Sequence, residues 1–379
     1  MQKRLLMTPG PTPIPDDVLL SMAQPILHHR TPEFKTLFAS CSKDLQPIFS
    51  TKQAVLMLSS SGTGAMEAAI TNFCQSGDTI ITVAGGKFGQ RWGLIGRAYG
   101  LNVVELEVEW GNAVSVAAVE QALEENPSAR GVYFQASETS TGVRHPVEGI
   151  AELCRNRANT LCVVDGITAV GVEPMEMDEW GIDILVSGSQ KAFMLPPGLA
   201  FIACSEKAWQ MAEASNLPRF YFDLLKERKS QSAGQTAWTS PVSLIVGLRK
   251  VLDRMNDMGT EGLLSHHDTL ARGTRAGVQA LGLRLLADSP ATSVTAVWAP
   301  EGLDAGDIIK GLGARHIKIA GGQDHLKGRI FRIGHLGWFS QADIIATLSA
   351  LESTLKDLGH EFTPGSGVSA AAAIFEGNG

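Results

Sequence analysis

The sequence predicts an α/β protein, with a large domain built on a mostly parallel, seven-stranded sheet and a smaller α+β domain at the C-terminal end. Three observations carry this. Between residues 53 and 204, short β-branched runs alternate with helical stretches, the pattern of strands joined by crossover helices with both sheet faces covered. Seven such runs occur there. The last third then mixes strand-like and helical stretches outside that rhythm.

In order, the strand candidates are AVLMLS from residue 54, TIITVA from 79, NVVELEV from 102, GVYFQA from 131, TLCVVD from 160, IDILVS from 182 and LAFIAC from 199. Helical patterns fall between them at GAMEAAITNFC, QRWGLIGRAYG, VAAVEQALEEN and HPVEGIAELCRN. Residues 240–282 read as helix, with a break expected at DMGTEG. Strand-like SVTAVWA, helical AGDIIKGLG, strand-like RIFRIG and a helix from SQADIIATL to KDLG complete the smaller domain. The expected divisions are an N-terminal arm over 1–20, a large domain over 21–255, a small domain over 256–362 and a flexible tail over 363–379. The tail, TPGSGVSAAAAIFEGNG, is rich in small residues and could be disordered or pack on a partner.

Composition narrows the function classes. The 379 residues are 44% hydrophobic and 19% charged, enough apolar material for a large core. The net charge of −7 and the lack of a basic block argue against nucleic acid and anionic lipid as partners. The opening MQKRLLMTPGPTPIPDD has too short an apolar run for a signal peptide. No run approaches the ~20 residues of a spanning helix. The five cysteines are odd in number and contain no C-x-x-C pair, which reads as reduced thiols in a cytoplasm.

The chemistry is sought at strand ends, where open α/β sheets bind ligands. Lys191, in SGSQKAFMLPPG, follows the strand IDILVS and leads into an apolar stretch. Lysines are seldom buried without a partner, and desolvation would favour the neutral, nucleophilic amine. Asp165 ends the strand TLCVVD; taken alone, a helix-capping role explains it. The loop SSSGTGAMEAA opens a helix and is a phosphate-cradle candidate, though by itself it fits a plain N-cap turn equally well. GGKFGQ lacks the Ser or Thr of a P-loop. Arg332 lies within the apolar strand RIFRIG. Facing inward it would need an anion, and its planar fork suits a carboxylate. The histidines show no metal-ligand spacing.

Together these pieces are more specific than any one of them. A phosphate cradle near residue 62, an aspartate at 165 and a lysine 26 positions later suit pyridoxal 5'-phosphate. That cofactor needs an amine to hold its aldehyde and an acid to keep its ring nitrogen protonated. From TPGPTPIP to about residue 358 the chain resembles the class V aminotransferases of the PLP-dependent transferase fold type I, in the alanine–glyoxylate and serine–glyoxylate branch. The resemblance implies that Lys191 carries the cofactor and then moves the proton. It implies Gln190, Ser61, Gly62 and Thr63 at the phosphate, Asp165 at the ring nitrogen, Ser140 of ETSTGV near the ring, and Arg332 of FRIGHLG on the substrate carboxylate. Phe88 stands where the family often has a stacking tryptophan, and phenylalanine can still stack offset. In GQTAWTSP, Thr239 matches a residue that reaches the phosphate of a partner subunit, and Thr236 replaces a frequent tyrosine. A homodimer acting on a small amino acid and a small 2-oxo acid follows from the same resemblance.

Three other readings are weaker. A desulfurase on this fold needs a cysteine well beyond the lysine, yet the last one, Cys204, lies 13 positions on in strand-like LAFIAC, where a core role fits. A redox subunit, a label sometimes attached to such sequences, needs paired thiolates. A cofactor-binding regulator would need an appended basic domain, and none is seen.

Overall fold

The computed structural model describes residues 4–377. All seven strand candidates form one sheet. Its order is Val55–Ser60, Gly198–Cys204, Ile184–Gly188, Leu161–Asp165, Gly131–Gln135, Thr79–Ala84, Asn102–Glu107. Only Gly198–Cys204 runs antiparallel to its neighbours. Alternate side chains fill two separate cores. Met57, Val83, Phe134, Val164, Leu185 and Phe201 enter one, beneath Phe34 and Phe38 of the helix Pro32–Ile48. Leu58, Ile80, Tyr133, Val163, Val186 and Ile202 enter the other, beneath the helix Gly62–Thr71. Two covered faces explain why the central strands read as unbroken apolar runs.

The smaller domain holds an antiparallel sheet of Val294–Trp298, Ile330–Gly334 and Ala320–Gly321. Helices Ala305–Ala314 and Gln341–Asp357 contribute Ile308, Leu312, Ile344 and Leu348 to its core. A long helix, Val242–Ala280, joins the domains and breaks at Gly259, whose φ of 70° and ψ of 163° are not helical. This is the first glycine of DMGTEG.

The C-terminal segment differs from the flexible tail expected. Ser366–Phe375 is a helix packed on Val242–Ala280 of its own chain, with Ala371 fully buried. Glycines permit the approach: a Cβ on Gly273 would lie 2.3 Å from Phe375 Cε1, and one on Gly277 would lie 3.0 Å from the Gly367 carbonyl oxygen. The small residues that suggested disorder are what allow two helices this close.

The N-terminal arm bridges the two domains. Leu5–Leu6 pairs with Ile317–Lys318 of the small domain, and Gly334 N–H donates to the Met7 carbonyl. Thr12 N–H then reaches the Gln190 carbonyl of the large domain. Among the described residues, no helix is long and apolar enough to cross a membrane.

Candidate active site

The carboxyl ends of five sheet strands meet at one cavity. Ser61, Gly62 and Thr63 follow Val55–Ser60, and Phe88 follows Thr79–Ala84. Asp165 ends Leu161–Asp165, while Gln190 and Lys191 follow Ile184–Gly188. Ser137 and Thr139, beyond Gly131–Gln135, complete that rim, and Arg91, Ile167 and Thr168 also line the space.

The Lys191 amine donates to the Pro9 carbonyl at 2.6 Å. Gly10 passes so close that a Cβ there would sit 2.1 Å from Nζ. Desolvation depresses the Lys191 pKa to about 8; Arg332 and Arg91 push it the same way, and Asp165 opposes them. Burial raises Asp165 to about 7, with Glu138 adding to the rise and Arg91 and Lys191 opposing it. One Asp165 oxygen accepts from the Ile167 N–H at 2.8 Å. Among the described residues nothing else donates to this carboxylate, which leaves an acceptor at the cavity wall.

The start of helix Gly62–Thr71 is arranged for an anion. Thr31, Ser115, Ser205, Asp223, Asp304 and Ser340 each accept a backbone N–H at the start of their own helices, whereas Ser61 makes no such cap. Ser61, Gly62 and Thr63 line the cavity at this uncapped start, where the helix dipole favours an anion. The first turn holds no acidic residue. Close by, Gln190 Oε1 is buried with no hydrogen-bond partner, and Gly188, which a Cβ would bring within 3.3 Å of that oxygen, lies against Gly62. Arg91 donates to Thr63 Oγ1 at 2.9 Å while its guanidinium lies 4.9 Å from the Phe88 ring centroid.

Arg332 faces inward, as the strand pattern allowed. It is buried, with Nε donating to the Gly321 carbonyl at 2.9 Å and Nη1 to the Thr139 carbonyl at 2.5 Å. Both acceptors are neutral. Burial lowers its pKa to about 10, and Glu138 pulls the other way. The charge is thus undercompensated and available to a carboxylate.

Two of the expected site residues lie outside this cavity. Ser140 does not line the cavity: its hydroxyl donates to Glu138 Oε1 at 2.6 Å and accepts from Lys87 N–H at 3.0 Å. The strand Ser137–Glu138 ends there and Thr139–Ser140 lie in a turn, so Thr139 joins Ser137 at the cavity while Glu138 and Ser140 cap the next helix. Thr239 is exposed on a separate crevice with Tyr221, Thr236 and Trp238, outside the Lys191 cavity of its own chain. Sequence reasoning missed Arg91, Thr139 and the Pro9–Gly10 arm. The run TPGPTPIP was the signal for the arm, because four prolines and a glycine within eight residues mark a rigid, shaped segment.

The family profile described as "Aminotransferase class-V" matches residues 5–334. The chain belongs to the class V aminotransferases. It is similar, at 43% identity over 98% of both chains, to a Synechococcus protein named "Soluble hydrogenase, small subunit". It is 35% identical to the serine–glyoxylate aminotransferase of Methylorubrum extorquens, over 98% of this chain and 96% of that one. The solved ureidoglycine–glyoxylate aminotransferase of Bacillus subtilis superposes with a TM-score of 0.94, at 28% identity and 99% coverage of each chain. This class V aminotransferase is therefore a PLP-dependent enzyme of fold type I. Its cavity fits that cofactor: the uncapped helix start suits a phosphate, and the Asp165 carboxylate suits a protonated ring nitrogen. All five cysteines are buried, Cys204 within its strand. Among the described residues, no group of three or more His, Cys, Asp or Glu side chains is placed to hold a metal ion.

Proposed function

We propose that the enzyme moves an amino group from a small amino acid, alanine or serine, to a small 2-oxo acid, glyoxylate. The observation that carries this reading is that buried Arg332 has only neutral carbonyl partners, one of them on Thr139, which lines the Lys191 cavity, so a carboxylate-binding group adjoins the reacting amine's cavity. Glyoxylate appears in the names of the Methylorubrum and Bacillus relatives. Pyridoxal phosphate, when bound, supplies the electron sink that makes the substrate Cα acidic. Ser61, Gly62, Thr63 and Gln190 would hold its phosphate, Phe88 would stack on its ring, and Asp165 would keep the ring nitrogen protonated. Lys191 would hold the cofactor and move the proton at Cα, while Arg332 orients the carboxylate. Amino acid and oxo acid use this one site in turn, as a ping-pong cycle requires.

Mixing the loaded enzyme with single amino acids and following its visible absorbance tests the donor. Alanine or serine should bleach the band and glyoxylate should restore it. A band that responds to neither donor overturns the assignment. Arg332→Lys keeps the charge but loses the fork. Apparent affinity for both the amino acid and the oxo acid is expected to fall by about 1.5–3 kcal/mol, the worth of one charged hydrogen bond. Unchanged KM values for both would place the carboxylate elsewhere.

The working unit in this reading is a homodimer. Phe220 is 72% exposed and stacks with Trp238, which also stacks on Tyr221, an aromatic patch beside Thr239 suited to a second copy. If Thr239 reaches the partner's phosphate, each site is composite and the exchange is reciprocal. Lys191→Ala chains mixed with Thr239→Arg chains then regain activity, up to about a quarter of wild type for random pairing. No recovery assigns Thr239 to its own chain, and full activity of Thr239→Arg alone removes it from the phosphate.

A further inference from the structure

Glu138 is a fully buried carboxylate that the chemistry above does not use. Its surroundings are unusual: Oε2 accepts from Phe88 N–H at 3.0 Å and Gly89 N–H at 2.9 Å, and Oε1 accepts from Ser140 N–H at 3.0 Å and Ser140 Oγ at 2.6 Å. Ser140 Oγ in turn takes the Lys87 N–H. The helix Lys87–Ala98 begins after Gly86, which offers no side-chain cap. Its first three N–H groups are therefore capped from another segment, by Glu138 and Ser140. Every contact to Glu138 is a donor, which matches the acceptor-only ionised form, and the positive helix end favours that charge.

The same short segment reaches the carboxylate-binding arginine. Thr139 sits between the two capping residues, and its carbonyl accepts from Arg332 Nη1. Ser137 Oγ is 2.8 Å from Ser293 Oγ of the small domain. Glu138 also acts electrostatically on both Arg332 and Asp165. Gly86 makes room for it, because a Cβ there would lie 2.4 Å from Glu138 Cγ and Cδ.

We propose that Glu138 is a positioning residue that holds the Phe88 ring and the Arg332 fork in fixed relation, so that cofactor ring and substrate carboxylate are aligned together. This rests on the roles given above to Phe88 and Arg332. Glu138→Gln keeps the volume but has one acceptor and one N–H₂ group, so it must turn a donor toward either the Phe88 and Gly89 N–H pair or Ser140. With the full-length holoenzyme, the dissociation constant for pyridoxal phosphate should rise about tenfold or more, the scale of one lost hydrogen bond to a charged group. The circular dichroism of the bound cofactor's visible band should change per molecule bound, and KM should rise more than kcat falls. Gly86→Ala, which keeps the carboxylate but displaces it, should shift the same readouts in the same direction and serves if Glu138→Gln does not fold. Variants that only melt earlier, with wild-type dichroism, cofactor affinity and KM, overturn the proposal. Borohydride labelling of wild-type Lys191 separates this failure from failure of the site assignment itself.

Discussion

Lys191→Ala is expected to yield a folded protein that takes up some pyridoxal phosphate but turns over ~10²–10⁴-fold more slowly, the range for losing a positioned general acid–base. The amine is the group toward which the cavity converges. It stands at a strand end, its charge is disfavoured by burial and by two arginines, and a backbone carbonyl fixes its direction. Borohydride reduction of the loaded wild-type protein, followed by peptide mapping, should place the label on Lys191. Label on Lys87 or Lys207 would move the site. Because the depressed pKa is about 8, the neutral fraction of the amine grows as pH rises through that value. Cofactor uptake by the apoprotein should accelerate with pH up to about 8 and then level off.

Asp165→Asn is expected to keep part of the cofactor and lose roughly 10²–10³-fold in kcat, the scale for removing one group that stabilises developing charge. An amide cannot hold the ring nitrogen's proton. The stability effect should have the opposite sign. In the folded protein the Asp165 pKa is raised from 3.8 to about 7, so the native state binds its proton more tightly than the unfolded chain does. That contribution is fully present below 3.8 and is lost as pH rises through about 7. Above pH 7 the apo Asp165→Asn protein should therefore melt no lower than wild type. Near-normal turnover in the variant would show that another acid serves the ring.

Much of this was legible before any coordinates, for physical reasons that differ by element. The seven strands stood out because burial on both faces makes each one continuously apolar and β-branched. Lys191, Asp165 and the Ser61–Thr63 loop stood out because polar residues directly follow such runs. Gly259 showed as a break because DMGTEG puts two glycines inside an otherwise helical pattern. Ser140 lies one position from the cavity wall: the motif locates a segment, but only the geometry of the turn after Ser137–Glu138 decides which of Thr139 and Ser140 faces the cavity. Arg91 was hidden because either arginine in QRWGLIGRAYG looks like a solvated helix position. The tail helix was hidden because alanine and glycine carry little sign of what they pack against.

The arm that crosses the site changes which residues count as near the chemistry. Thr12 hydroxyl donates to the Lys191 carbonyl across 179 positions of sequence, and Pro9 and Gly10 touch the amine itself. Trimming the first dozen residues, an ordinary step when shortening a protein for crystallisation, would remove part of the catalytic wall along with the strand pairing at Leu5–Leu6. For anyone redesigning substrate choice, positions 8–12 belong in the mutagenesis library. Handles for purification or immobilisation are better joined at the far end, beyond the helix Ser366–Phe375.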